Sequence, residues 1–174
     1  LDNIFTTKAS LETAVEAYNA DVDSAEATYG PIVDWDVSGI TDMSYLFYNL
    51  KDFNADVSSW DTSGVTNMYR MFLFAAAFNQ PLSFDTSSVT DMGYMFFNAA
   101  AFNQPLSVDT SSVTIGVQPA AELRMYRMFR GAIAFNQALS FNTASVTTMF
   151  QMFLDAGAFD QPLSFDTSSV TDMG

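Results

Sequence analysis

Apolar and polar positions along this chain fall into blocks that return at a fixed distance. Within one block, Val89, Met92, Met95, Phe96, Ala99 and Phe102 recur at spacings of three and four, which predicts a short strand entering one or two helical turns. Ahead of it, Phe78-Asn-Gln-Pro-Leu-Ser-Phe84 reads as extended, with Pro81 tolerable where a strand can leave one amide unpaired. Asp85-Thr86-Ser87-Ser88 is turn chemistry, the aspartate closing onto following amides. The block Phe78–Met92 returns almost unchanged as Phe102–Thr114 and Phe159–Met173, and more loosely from Phe53 and Phe135.

Aligned on the residue before the Asp-Thr-Ser turn, the copies are anchored at Trp35, Trp60, Phe84, Val108, Phe141 and Phe165, in steps of 25, 24, 24, 33 and 24 residues. The long step contains an insertion, Ile115–Leu123. Units this short cannot each bury an apolar face alone, so they are expected to stack. The predicted fold is a leucine-rich-repeat-like solenoid, built of short parallel strands and short helical turns with a period near 24. Residues 35–174 make six stacked repeats and residues 1–34 make an N-terminal cap. In that cap Leu11, Ala14, Val15 and Tyr18 form one stripe of a helix over Thr7–Ala20, with Thr7 or Ser10 as N-cap. An acidic stretch and a Tyr29-Gly30-Pro31 turn follow.

Stacking turns each motif position into a column. Met43, Met68, Met92, Met125, Met149 and Met173 make one core column. Phe47, Phe72, Phe96, Phe129 and Phe153 make another, and Phe53, Phe78, Phe102, Phe135 and Phe159 a third. An amide column, Asn54, Asn79, Asn103 and Asn136 with Asp160, follows the third and is suited to satisfying backbone groups at a corner.

Composition narrows the chemistry. With 49% hydrophobic residues and a mean hydropathy of +0.11, the chain can fill a core, and 17 Phe and 10 Met are its main filling. The longest apolar run is the eight residues Met71–Phe78, too short for a membrane helix. Without Cys or His, a disulfide framework, Cys/His zinc sites, thiol nucleophiles and histidine bases are excluded. A net charge of −14 argues against nucleic acid and anionic membrane surfaces as partners. The chain opens on Leu1 and stops inside a motif, which reads as a processed or partial chain, with possible assembly through an open C-terminal end.

The pattern Val-Thr-Asp-Met-x-x-Met-Phe-x-x-Ala-x-x-Phe-Asn-Gln, with Trp/Phe-Asp-Thr-Ser between copies, resembles the BspA-type leucine-rich-repeat surface proteins. It is closer to their Phe/Met-rich branch, a domain of unknown function in bacterial, mycoplasmal and algal proteins. The resemblance runs over about Trp35–Gly174 and implies a leucine-rich-repeat-like solenoid. It also implies adhesion or protein binding, at the cell surface or outside the cell, with an organelle lumen as the other compartment. The chain departs from the pattern at Ile115–Leu123 and at Arg124, where the other copies carry Asp or Asn.

Three sets of columns are candidate surfaces. The carboxylates Asp36, Asp61, Asp85, Asp109 and Asp166, with Asp42, Asp91 and Asp172 further along the unit, suit local turn bonds or, as a lesser alternative, Ca²⁺. The hydroxyl columns Thr41, Thr66, Thr90, Thr114, Thr147 and Thr171, and Thr62, Thr86, Thr110, Thr143 and Thr167, suit a polar face or an ice lattice. The third set consists of large side chains beyond the core: Tyr48, Leu73, Phe97 and Leu154, interrupted by Arg130; Tyr69, Tyr126 and Phe150; and Tyr45 and Tyr94 alternating with Arg70 and Arg127. Facing outward, these make an aromatic strip with arginines, a composition favoured in interfaces. Arg124, Arg127 and Arg130 are half of the six basic residues and add a contact for an acidic patch on a partner protein. No catalytic motif is present, and no metal or cofactor is implied. The expected function is therefore a non-catalytic protein-binding, adhesion or scaffold module, with a structural or linker subunit of a larger assembly as the alternative.

Overall fold

The computed structural model describes residues 3–108, 123–139 and 143–173. Helix α1, Lys8–Ala20, begins where Thr7 accepts a hydrogen bond from the Ser10 amide at 3.2 Å. The acidic stretch after it, for which the sequence pattern predicts no element, forms a second helix, α2, Val22–Tyr29. Asp21 caps α2 by accepting from the Ser24 amide at 3.2 Å, and Asp23 sits in its first turn, where the helix dipole favours negative charge. Gly30, with φ of 75°, ends α2 in a backbone conformation costly to other residues, and Pro31 follows. The cap is thus a helical hairpin.

Together α1 and α2 close one end of the core. Leu11, Ala14, Val15 and Ala25 are buried, and Tyr18 and Tyr29 pack edge-on against Trp35 with ring centroids 6.1 and 5.9 Å from it. Trp35 stacks on Trp60 at 6.2 Å, and each indole N–H is satisfied inside the cap, donating to the Gly30 and Ile32 carbonyls.

From Trp35 onward the copies lie in parallel, each against the next. Parallel bridges join Asp42 to Asn67, Asn67 to Asp91 and Asp91 to Arg124, then Thr148 to Asp172. Two short strands, β1 (Leu123–Arg124) and β2 (Val146–Thr148), pair in parallel with a register shift between Leu123 and Arg124. Leu123, the final residue of the expected insertion, is buried and belongs to this coil. The rest of the insertion, with Asp109, Thr110, Thr114, Phe141 and Asn142, lies outside the described residues.

Two phenyl columns fill the centre. Phe47, Phe72, Phe96, Phe129 and Phe153 stack at 4.9, 5.5, 5.7 and 5.6 Å. Phe53, Phe78, Phe102, Phe135 and Phe159 stack beside them at 6.1, 6.0, 5.9 and 5.9 Å. Within a coil the two rings are closer, 4.0 Å for Phe96 and Phe102. The methionines from Met43 to Met149 are buried beside them, whereas Met173 in the last described coil is 59% exposed.

The segment expected to be helical is not a helix. Leu46, Tyr48 and Leu50 donate to carbonyls three residues back, but Tyr45 and Asn49 have φ of 63° and 59°. Residues in that left-handed region make a chain of tight turns. The intervening amides are thereby released to the next coil. Met43, Tyr45, Phe47 and Asn49 donate to the carbonyls of Asn67, Tyr69, Met71 and Leu73 at 2.8–3.0 Å. Arg70 and Phe74, Tyr94 and Asn98, and Arg127 and Gly131 repeat the left-handed pair in later coils. The apolar spacing of three and four fits either conformation; the cross-coil bonds select the turns, each left-handed side chain costing about 1–2 kcal/mol.

On the opposite side, Phe78–Phe84 forms no strand ladder. Pro81 cannot donate, and side-chain amides carry the cross-coil bonds there instead. Asn54, Asn79, Asn103 and Asn136 each accept, through Oδ1, from the backbone N–H one coil on, at 2.8–2.9 Å. Gln104 and Gln137 Nε2 reach back to the Asn79 and Asn103 carbonyls at 3.1 Å.

Candidate functional site: an aromatic and arginine face

The turn segments present one face of the stack. Because their backbone amides are used up between coils, their side chains are free to differ from copy to copy. One column runs Tyr45, Arg70, Tyr94, Arg127, Gln151, all with positive φ. Each arginine lies between its neighbours. The Arg70 guanidinium sits 5.5 Å from the Tyr45 ring, 4.8 Å from Tyr94 and 4.7 Å from Tyr69, and its Nη1 donates to Tyr45 Oη at 2.9 Å. Arg127 donates through Nη1 to Tyr94 Oη at 2.7 Å and through Nε to Gln151 Oε1 at 2.9 Å, with the Phe150 ring 5.2 Å away. The result is a ladder of alternating cation and ring, each contact worth about 0.5–1 kcal/mol.

A second column holds Tyr69, Gly93, Tyr126 and Phe150. Gly93 matters because Tyr126 lies across it: a Cβ there would fall 2.6 Å from Tyr126 Cζ. Tyr126 reaches over to within 6.3 Å of the Tyr69 ring. Burial, then the Asp91 carboxylate, holds the Tyr126 phenol well above its ordinary pKa. Asp91 itself is raised by burial, against the opposing pull of the Gly93 amide, which its Oδ1 accepts at 2.8 Å, and of Arg124.

In the third column Tyr48 (46% exposed) and Leu154 (41%) face outward, Phe97 and Arg130 are half-buried, and Leu73 is buried at 6%. Leu73 thus departs from the outward strip: it forms the floor of a cavity of about 320 Å³ walled by Tyr45, Tyr48, Phe74, Phe97 and Tyr94, with Arg70 at one side. Phe74 was absent from the outward strip read from the sequence, whereas Tyr45 was part of it. The legible signal for Phe74 was an apolar residue in a column that otherwise holds Asn49, Asn98, Gly131 and Asp155.

The three expected arginines do not act as one patch. Arg124 is exposed with Nη1 3.9 Å from Asp91, Arg130 pairs with Asp155 at 3.7 Å, and Arg127 is held in the ladder. Their distance along the chain places them on different columns, so each finds its own neighbour.

The other columns are occupied locally. Asp36, Asp61, Asp85 and Asp166 each accept through Oδ1 from the serine amide two residues on, at 2.9–3.0 Å. Side-chain and backbone bonds from those serines lower the pKa of Asp36, Asp61 and Asp166. Among the described residues, no group of three acids gathers to hold a metal ion. Thr66, Thr90 and Thr171 hydroxyls donate to threonine carbonyls of the preceding coil. Thr62, Thr86 and Thr143 are buried rather than on a polar face; Thr62 and Thr143 donate to the carbonyls of Asp85 and Asp166 in the following coil.

Residues 13–122 and 122–174 match the family described as Mycoplasma protein of unknown function, DUF285. The chain belongs to this family. No curated protein and no solved structure matches it. The family's description assigns it no activity. Among the described residues, no helix is long and apolar enough to cross a membrane.

Proposed function

We propose that this member of the family is a leucine-rich-repeat-like solenoid of the BspA type, acting as a non-catalytic protein-binding or adhesion module at a cell surface. The observation that carries the reading is the aromatic and arginine face. It runs across five coils, keeps Tyr45, Tyr48 and Leu154 exposed, and interrupts an otherwise acidic molecule with guanidinium groups. Such a face is rigid before it meets a partner, because the left-handed turns from Tyr45 to Gly131 are fixed by bonds to the next coil, so little ordering cost accompanies binding. Aromatic and arginine side chains in that setting are the residues that dominate interface energies.

The test is site-specific photo-crosslinking in extract of the source organism. Benzoylphenylalanine at Tyr48 should yield a discrete adduct, and the same group at exposed Ser63, on the Asp-Thr-Ser side, should yield none. Identical bands from both positions, or none from either, would sink the reading.

A further inference from the structure

We propose that the cavity around Arg70 receives the last residue of a partner polypeptide, its apolar side chain held among the rings and its free carboxylate paired with the Arg70 guanidinium. This rests on reading the aromatic face as a protein-binding surface. The walls form a closed sequence of ring contacts: Tyr45 to Tyr48 at 5.8 Å, Tyr48 to Phe74 at 6.3 Å, Phe74 to Phe97 at 5.6 Å and Phe97 to Tyr94 at 5.4 Å. Arg70 closes the circuit between Tyr94 and Tyr45, and Leu73 lies beneath. A cavity of about 320 Å³ with that lining suits one apolar side chain and one fixed polar group.

Charge selects the polar group. The chain has 20 acidic residues, and Lys8, Arg124 and Arg130 each lie within 4 Å of a carboxylate. Among the described residues Arg70 has none; it donates to Tyr45 Oη, and its Nε is enclosed without an acceptor. A half-buried guanidinium held by rings rather than by a counter-ion is left to pair with an incoming anion.

The ligand's remaining chemistry follows from the surroundings. With a net charge of −14, the molecule repels an extended acidic patch, so the ligand brings a single carboxylate. That carboxylate must also lie beside an apolar group small enough to enter the ring of walls. In a polypeptide those two requirements meet on one Cα only at the C-terminus.

The probes are N-acetyl-leucine and its amide, N-acetyl-leucinamide, titrated into the full chain and followed by the aromatic NMR signals of Tyr45, Tyr48 and Tyr94. The acid should shift these signals saturably and bind about ten-fold more tightly than the amide. Arg70→Gln should erase that preference, and Tyr48→Ala, at an exposed wall, should weaken both probes. If Arg70→Gln fails to fold by circular dichroism, the salt dependence of the wild-type preference decides: it should fall as ionic strength rises. Equal binding of acid and amide, a preference untouched by Arg70→Gln or by salt, or no saturable shift overturns the proposal. Should neither probe bind while cross-linking from Tyr48 persists, this inference fails and the protein-binding reading stands. Loss of cross-linking sinks that reading whatever the probes do.

Discussion

Two sides of each coil solve the same problem differently. On the Phe-Asn-Gln-Pro side, the bonds between coils run through side chains: an asparagine Oδ1 accepts from the next coil's backbone and a glutamine Nε2 returns to a carbonyl. On the turn side, a regular backbone ladder does most of the joining, and side-chain bonds such as Arg70 to Tyr45 and Arg127 to Tyr94 are added where the residues allow. The first solution fixes the residues, and Asn54, Asn79, Asn103 and Asn136 repeat accordingly. The second releases them, so one column can read Tyr48, Leu73, Phe97, Arg130, Leu154. A surface particular to this chain can arise only on the side where side chains are not structural. That contrast, rather than any motif, locates the candidate site.

The contrast can be broken at its shared core. Phe96→Ala removes a ring with no solvent exposure that stacks on Phe72, Phe102 and Phe129, and should cost about 3–5 kcal/mol. A thermal midpoint within 2–3 °C of wild type would show that the phenyl columns are not what holds the coils. Next in size, Asn103→Ala leaves the Asn136 amide without its acceptor, removes one of the two acceptors of Gln137 Nε2, and should cost about 1–3 kcal/mol. On the turn side, Tyr48→Ala should cost under about 0.5 kcal/mol, since that ring is exposed and bonds nothing structural. Equal losses from these last two substitutions, measured by denaturant unfolding, would erase the distinction.

A finer probe is Asp91→Asn. Asn67 already holds the equivalent turn, accepting from the Tyr69 amide at 3.0 Å, so an asparagine can replace the bond to Gly93. Because burial raises the Asp91 pKa, its stabilising form is the protonated one, complete below the unfolded-state value and lost as pH rises through the folded value. The substitution should therefore raise the thermal midpoint at pH 7, by roughly 1–2 °C, and the gain should vanish toward pH 3. A drop at pH 7 would mean that the Arg124 pair outweighs the cost of burying the charge.

The two phenyl columns were legible in the sequence because the copies are nearly identical. A column such as Phe47, Phe72, Phe96 needs no more than the period to be drawn, and the rings lie in those columns. What the period could not reveal was backbone conformation. Spacings of three and four are shared by a helix and by linked tight turns, and only bonds to a neighbouring coil distinguish Tyr45 at φ 63° from a helical residue. Helix α2 was hidden for a related reason: Val22–Tyr29 carries just one buried residue, Ala25, so its apolar stripe is faint and its cap, Asp21, reads as one more acid in an acidic run. In the candidate site, the outward residues Tyr48 and Leu154 could be named from the pattern, but the inward turn of Leu73 and the reach of Tyr126 across Gly93 depend on neighbours a full coil away.

Both tryptophans of the chain, Trp35 and Trp60, are confined to the first two coils, where Trp35 packs against Tyr18 and Tyr29 of the helical hairpin and Trp60 stacks on Trp35. Their emission therefore watches one terminus alone, while tyrosines from Tyr18 to Tyr126 span most of the length. In a repeat array, where neighbours couple only to neighbours, the two optical signals need not melt together. Their separation in a single heating scan would time the loosening of the first two coils against that of the coils up to Tyr126, with no label added.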